Sequence, residues 1–304
     1  MKIGWENGEK FGPLWTAMVT PFTEEGEVDY SHTANVLDHL ISTGTDVVVV
    51  AGTTGESPVL TKEEKLELFT FAVKHAENRV AIVAGTGSNS TKESIALTKA
   101  AGQTGVDGIM LVTPYYNRPS QEGLYAHFKA IANATRLPVM LYNVPGRTAV
   151  NMLAPTTIAL SKIENIAAVK EASENLDQIA AIIEGTGDDF AVYSGDDSMA
   201  LPILSIGGDG VVSVASHVIG NEIQEMIREY KKGDQRKAAK WHRQLLPVMK
   251  TLFTAPNPTC VKYALQRRGI DVGEVQLPLL PATELEKERV DAVLGALEKE
   301  VANQ

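Results

Sequence analysis

Asp46-Val47-Val48-Val49-Val50-Ala51-Gly52-Thr53-Thr54-Gly55-Glu56-Ser57 passes from an apolar β-branched run into a turn rich in glycine and hydroxyls. In the segment that follows, Leu66, Phe69, Val73 and Ala76 recur at helical spacing behind a capping box of Thr61 and Glu64. Val80–Val83 is a second apolar run, so the stretch reads as strand, turn, helix, strand. The same unit recurs in both directions. Eight β-rich runs are present: Trp15–Val19, Asp46–Val50, Val80–Val83, Gly108–Val112, Val139–Tyr142, Ile166–Lys170, Ala191–Ser194 and Gly210–Val212. Ser90 with Glu93 opens the helix after the third. An α/β pattern repeating every ~20–35 residues up to a count of eight fits a closed (β/α)8 TIM barrel better than an open doubly wound sheet. Beyond Lys231-Lys232-Gly233-Asp234 the strand pattern stops, and Arg236–Leu252, Thr259–Arg268 and Glu284–Val301 carry a helical period. The expected organisation is a catalytic barrel over residues 1–233 and a small C-terminal α-helical domain over 234–304.

The 304 residues are 44% hydrophobic, enough for a full core, and disorder is not expected. A formal net charge of −10 with no local Lys/Arg cluster argues against a nucleic-acid partner and leaves a small molecule. The single cysteine, Cys260, forbids an intramolecular disulfide framework and reads as a small buried hydrophobe. Met1-Lys2-Ile3-Gly4-Trp5-Glu6 lacks the apolar stretch of a signal peptide, and no segment approaches the ~18 apolar residues of a membrane span. The expected location is cytoplasmic.

In such a barrel the chemistry collects at the carboxyl ends of the strands. The sixth run, Ile166-Ala167-Ala168-Val169, ends in Lys170 and continues into Glu171-Ala172-Ser173. Its amine has two readings: a nucleophile activated by burial, or a snorkelling side chain whose ammonium reaches water. With the ordinary lysine pKa of about 10.4, only roughly one side chain in 2,500 is neutral at pH 7, and a pKa of ~7–8 raises that fraction by hundreds. The run alone does not separate the two. After the second run, the hydroxyls and glycine-exposed amides of Gly52–Ser57 fit a carboxylate or, equally, a capped βα turn. The fourth run leads into Thr113-Pro114-Tyr115-Tyr116-Asn117-Arg118-Pro119 and the fifth into Tyr142-Asn143-Val144-Pro145-Gly146-Arg147-Thr148. Tyrosines there can relay protons and arginines can clamp carboxylates, although each taken singly is more often an interface aromatic or a surface ion pair. Gly195-Asp196-Asp197-Ser198 and Val211-Val212-Ser213 read as walls, with Asp196 and Asp197 as a helix cap and first-turn acid.

The six histidines form no His-x-x-x-His pair and no Cys/His ligand spacing occurs, so no metal is expected. Gly85-Thr86-Gly87 lacks the third glycine of a dinucleotide fingerprint, there is no Gly-Lys-Ser/Thr loop, and Gly207-Gly208-Asp209-Gly210 precedes its strand instead of following it. A mechanism without a cofactor, using an amine, remains.

Five motifs in order, Gly52–Ser57, Pro114–Pro119, Tyr142–Thr148, Val169-Lys170-Glu171-Ala172 and Ser194-Gly195-Asp196-Asp197, each at an expected strand end, make nearly the whole chain resemble the dihydrodipicolinate synthase / N-acetylneuraminate lyase family. The resemblance implies a Schiff base between Lys170 and pyruvate, whose enamine attacks L-aspartate 4-semialdehyde to give 4-hydroxy-tetrahydrodipicolinate for lysine and diaminopimelate synthesis. It implies a proton relay of Thr53, Tyr142 and Tyr116, the last from a neighbouring subunit, and hence a homo-oligomer, a dimer of dimers. Thr54 is implied to bind the pyruvate carboxylate and Arg147 that of the semialdehyde, with Gly195 and the Val212 carbonyl lining the pocket. Arg147, and Thr53 where the sialic-acid lyases usually carry serine, favour the synthase branch. Two alternatives stand beside it: a pyruvate-releasing class I aldolase acting on a sugar acid, and a barrel that binds a keto acid without catalysis.

Lysine-inhibited members of the family have an effector site, and Ser57, Asn89, Glu93 and Tyr115 match its residues. Lys62 and Lys65 stand where those members have histidines. Two ammonium groups should repel a cationic effector by about 1 kcal/mol each or more. Weak or absent inhibition by lysine is therefore expected.

Overall fold

The computed structural model describes residues 11–302; the N-terminal residues 1–6, read above for a signal peptide, lie outside the described residues. Eight parallel strands close in sequence order into one barrel: β1 (Leu14–Ala17), β2 (Val47–Val50), β3 (Ala81–Gly85), β4 (Gly108–Val112), β5 (Val139–Asn143), β6 (Ile166–Glu171), β7 (Ala191–Ser194) and β8 (Gly210–Ser213). Each expected run is a strand, with ends displaced by at most two residues. The helices α1 (Tyr30–Ser42), α2 (Lys62–Ala76), α3 (Thr91–Ala101), α4 (Gln121–Ala132), α5 (Pro145–Thr148), α6 (Ala154–Leu160), α7 (Leu176–Gly185), α8 (Ala200–Ser205) and α9 (Ser216–Lys231) fall between and after the strands. α10 (Gln235–Thr251), α11 (Thr259–Arg267) and α12 (Glu284–Ala302) complete the chain, close to the bounds expected from the sequence. No helix among the described residues is long and apolar enough to cross a membrane.

Continuous apolar runs form these strands because both strand faces are buried. One face of β-residues, including Val48, Val50, Ile82, Ala84, Ile109, Leu111 and Leu141, packs outward under the helices. The alternate residues Trp15, Ala17, Val47, Val49, Val83, Met110, Met140, Tyr193 and Val212 fill the barrel interior. α2 starts at a complete capping box: the Glu64 N–H donates to Thr61 Oγ1 at 3.2 Å and the Thr61 N–H to Glu64 Oε2 at 2.7 Å. In α3 Ser90 accepts from the Glu93 N–H, while burial lowers the Lys65 pKa and the Glu93 carboxylate only partly opposes this.

At the amino ends of the strands an aspartate recurs just before an even-numbered strand. Asp46, Asp107 and Asp209 accept the backbone N–H of Leu14, Ile82 and Val192 at 2.8, 2.7 and 2.7 Å. Each donates its own N–H to the carbonyl of that same residue at 2.8 Å. These two-way clasps fix the register of β1–β2, β3–β4 and β7–β8, and Asn165 before β6 clasps the Ala132–Leu137 turn with its side-chain amide instead. Thr45-Asp46, Val106-Asp107 and Gly208-Asp209, each followed by Val or Gly, are the sequence trace of this device.

Candidate active site

Lys170 reaches the barrel interior because of an irregularity in β6. The pairing with β5 slips between Val139 and Met140, so that Val139 faces Ile166 but Met140 faces Ala168. Ala167 is the extra residue of a β-bulge. Ile166 and Val169 therefore both point out to the helices, whereas Ala167 and Ala168 both belong to the inner layer. Strict alternation from Ile166 would have sent Lys170 outward; with one residue inserted it lies beside Tyr142, its register partner, and inside the barrel. Its Nζ sits 4.2 Å from the centre of the Tyr142 ring.

Burial lowers the Lys170 pKa to about 7, the nearby Asp197 opposing this and Arg147 adding to it. Asp197 is held by the Ser213 hydroxyl and by the Val214 and Ala215 N–H groups at 3.1 and 3.0 Å. The acid read above as a first-turn residue is thus tied to the end of β8. Asp196 does cap the short 3-10 turn Asp197–Met199, accepting from the Ser198 N–H at 2.7 Å. Burial raises the Tyr142 pKa, while the charge of Arg147 and a hydrogen bond with the Thr53 side chain lower it. Thr53, Tyr142 and Lys170 therefore form a contiguous set, with Arg147 within electrostatic reach of both tyrosine and amine.

A cavity of about 250 Å³ adjoins them, walled by residues that include Thr53, Tyr142, Arg147 and Thr148 together with Ser57, Lys65, Ser88 and Tyr115. Thr54, Lys170, Gly195 and Val212 are not in that wall; Thr54 and Lys170 are 2% and 4% exposed. Gly195 leaves room for the Lys170 stem. A Cβ there would stand 3.1 Å from Lys170 Cγ and 2.8 Å from Ala172 Cβ. Tyr116 is not brought to Tyr142. It is 90% exposed and takes φ 71°, two residues before Arg118 at φ 45°, left-handed conformations that cost bulky residues energy. Of the six effector-site positions, four matching and two occupied by lysine, Ser57, Lys65 and Tyr115 line the cavity, Asn89 accepts at its backbone oxygen from Asn117 Nδ2 at 2.9 Å, and Lys62 and Glu93 are exposed.

Three features of the site had no local signal. Glu56, at the end of the Gly52–Ser57 turn, is buried against Lys262 of α11, with Oε1 to Nζ 2.8 Å. Glu56 Oε2 also accepts from the Gln276 N–H at 2.8 Å, and Lys262 Nζ donates to the Glu274 carbonyl at 2.9 Å. Asn257 Nδ2 donates to Thr54 Oγ1 at 2.9 Å. Outside the barrel, the buried Glu171 accepts from Asn143 Nδ2 at 2.8 Å and from Ser173 Oγ at 2.5 Å, which joins the ends of β5 and β6.

Residues 10–297 match the dihydrodipicolinate synthetase family. The chain belongs to this family. It is 57% identical over 286 residues to the 4-hydroxy-tetrahydrodipicolinate synthase of Bacillus velezensis, an alignment covering 94% of this chain and 99% of the relative. The crystal structure of a dihydrodipicolinate synthase from Bacillus anthracis superposes with a TM-score of 0.93 at 55% identity, covering 94% of this chain and 98% of that one. The family member from Cyanidioschyzon merolae, solved with lysine bound, gives 0.93 at 47% identity, covering 95% of this chain and 98% of that one.

A pKa of about 7 for Lys170 makes its amine reactive where ordinary lysines are protonated. Reductive methylation of the Lys170 peptide, followed by mass spectrometry, should rise about ten-fold per pH unit below pH 7 and level off above it. Arg147 lowers this pKa, so Arg147→Ala should move the inflection upward. A Lys170 modification rate still climbing at pH 9 in the native protein would refute the assignment.

Proposed function

We propose that this chain condenses pyruvate with L-aspartate 4-semialdehyde to 4-hydroxy-tetrahydrodipicolinate, the activity for which its Bacillus velezensis relative is named. The observation that carries the reading is the buried amine of Lys170, with a pKa of about 7, set on the Tyr142 ring inside the barrel. The amine attacks the keto carbon of pyruvate and water leaves, giving an imine. Loss of a methyl proton turns the imine into an enamine, whose carbon bonds to the aldehyde carbon of the second substrate while the aldehyde oxygen takes a proton. The amine of that substrate then attacks the imine carbon, closes the ring and expels the Lys170 amine. No metal or cofactor enters these steps, because the protonated imine is itself the electron sink.

In this reading Thr53 and Tyr142 pass protons between the imine region and the cavity, and Thr54 binds the pyruvate carboxylate through its amide and hydroxyl. Arg147, exposed at the cavity rim, pairs with the semialdehyde carboxylate. Gly195 and the Val212 carbonyl border the bound keto acid. Residues 1–233 act as the catalytic barrel and 234–304 as a helical domain supporting it, in a cytoplasmic enzyme of lysine and diaminopimelate synthesis. Tyr116 completes the relay of a second copy: an aromatic ring 90% exposed and held at φ 71° offsets its strain by entering a neighbour's site. The active form is therefore a dimer at least, and two such dimers make the tetramer.

Borohydride reduction in the presence of pyruvate should add a pyruvate-derived mass to the Lys170 peptide, and a coupled assay with aspartate semialdehyde should show turnover. An adduct without that turnover would instead point to an aldolase acting on sugar acids, and no adduct would leave only a keto-acid binder. Tyr116→Phe should lower kcat about 10²-fold or more without unfolding the chain. Full activity of a strictly monomeric preparation would sink the shared relay. Lys65 in the cavity wall brings an ammonium group to the effector region, so millimolar L-lysine should leave initial rates nearly unchanged, and strong inhibition would overturn this.

A further inference from the structure

The turn Gly52–Ser57 is held from a part of the chain about 200 residues away. Asn257, 6% exposed, donates Nδ2 to Thr54 Oγ1 at 2.9 Å. Two residues further along the turn, Glu56 is clamped by Lys262 of α11 at 2.8 Å and by the Gln276 N–H at 2.8 Å. The position of Asn257 over Thr54 is therefore fixed by an adjacent buried ion pair, and the contact is not a chance touch of two surface side chains.

A threonine hydroxyl has one proton to give and two lone pairs to receive. With a lone pair engaged by the Asn257 amide, rotation about the C–O bond leaves the proton free to point elsewhere, and among the described residues no acceptor takes it. Asn257 itself is poorly served: its Oδ1 is buried without a hydrogen-bond partner. An interior amide with one unpaired end costs stability, and such costs are characteristically retained at functional sites.

We propose that Asn257 is a positioning residue which, by occupying a lone pair of Thr54 Oγ1, commits that hydroxyl to donate its proton to the carboxylate of the bound keto acid. This rests on the reading that Thr54 binds the pyruvate carboxylate. Without Asn257 the hydroxyl rotates freely, and the carboxylate itself must order it before accepting its proton, at a cost in binding. The effect falls on binding of the first substrate; the semialdehyde, held by Arg147, is untouched.

A double-mutant cycle tests this. Asn257→Ala should raise KM for pyruvate about five-fold, the worth of one neutral hydrogen bond of about 1 kcal/mol. Its kcat and its KM for the semialdehyde should stay within about two-fold of the parent. Thr54→Val should raise the pyruvate KM at least as much, and adding Asn257→Ala to Thr54→Val should change it by less than about two-fold. Asn257→Leu, which keeps the shape of the amide without its donor, carries the same cycle if the alanine variant folds poorly. Multiplying effects in the double variant, or a fall in thermal stability and kcat with pyruvate KM unchanged, would overturn the proposal. The parent reading fails separately: no borohydride-trapped pyruvate on Lys170 in the unaltered protein removes the reaction, and an unchanged pyruvate KM in Thr54→Val removes the carboxylate role and this proposal with it.

Discussion

Taking the Lys170 amine out of water is the constraint on which the rest of the site depends. A charged ammonium is costly inside a layer of Trp15, Val49, Met110, Met140 and Val212, and burial shifts the balance toward the neutral amine. Backbone geometry brings the side chain there. The bulge at Ala167 switches the alternation of β6 so that the residue after Val169 faces inward, and the paired alanines 167 and 168 are small enough for two consecutive residues to share the inner layer. The absence of a side chain at Gly195 then leaves space beside the lysine stem. Asp197 keeps the pKa from falling further. That carboxylate is itself pinned by two backbone amides and the Ser213 hydroxyl at the end of β8, so its contribution to the field at the amine is fixed by the barrel.

The fold was legible because its signal is local and repeated. Each strand is buried on both faces and so reads as an unbroken apolar run, and Thr61 with Glu64 announces α2 by a spacing of three residues. The strand-end motifs were legible for the same reason: a barrel delivers each one at the end of a run that can be counted. What escaped is what depends on contacts between distant parts of the chain. Nothing in Ile166-Ala167-Ala168-Val169 states that one alanine is unpaired, because a bulge is defined by the partner strand. Nothing near Glu56 announces Lys262, and Asn257 lies in a segment without a periodic pattern. The recurring aspartates before β2, β4 and β8 were visible as letters, but their meaning required knowing that each strand end lies against the start of its neighbour.

The two buried lysines show how similar burial yields opposite chemistry. Lys170 and Lys262 are 4% and 1% exposed, each lies over an aromatic ring, and burial pushes both pKa values down. Lys262 has a carboxylate at 2.8 Å and a carbonyl at 2.9 Å, so its charge is partnered and its proton is held. Among the described residues Lys170 has no ion pair at contact; Asp197 acts on it from a distance while Arg147 opposes it. The first is a bolt, fixing the C-terminal helices to the Thr53–Thr54 turn through Glu56. The second is poised to lose its proton. Placing the carboxylate of Glu56 beside Lys262 also removes the other deeply buried amine among the described residues from competition as a nucleophile, and it does so while holding the turn whose Thr53 hydrogen-bonds to Tyr142.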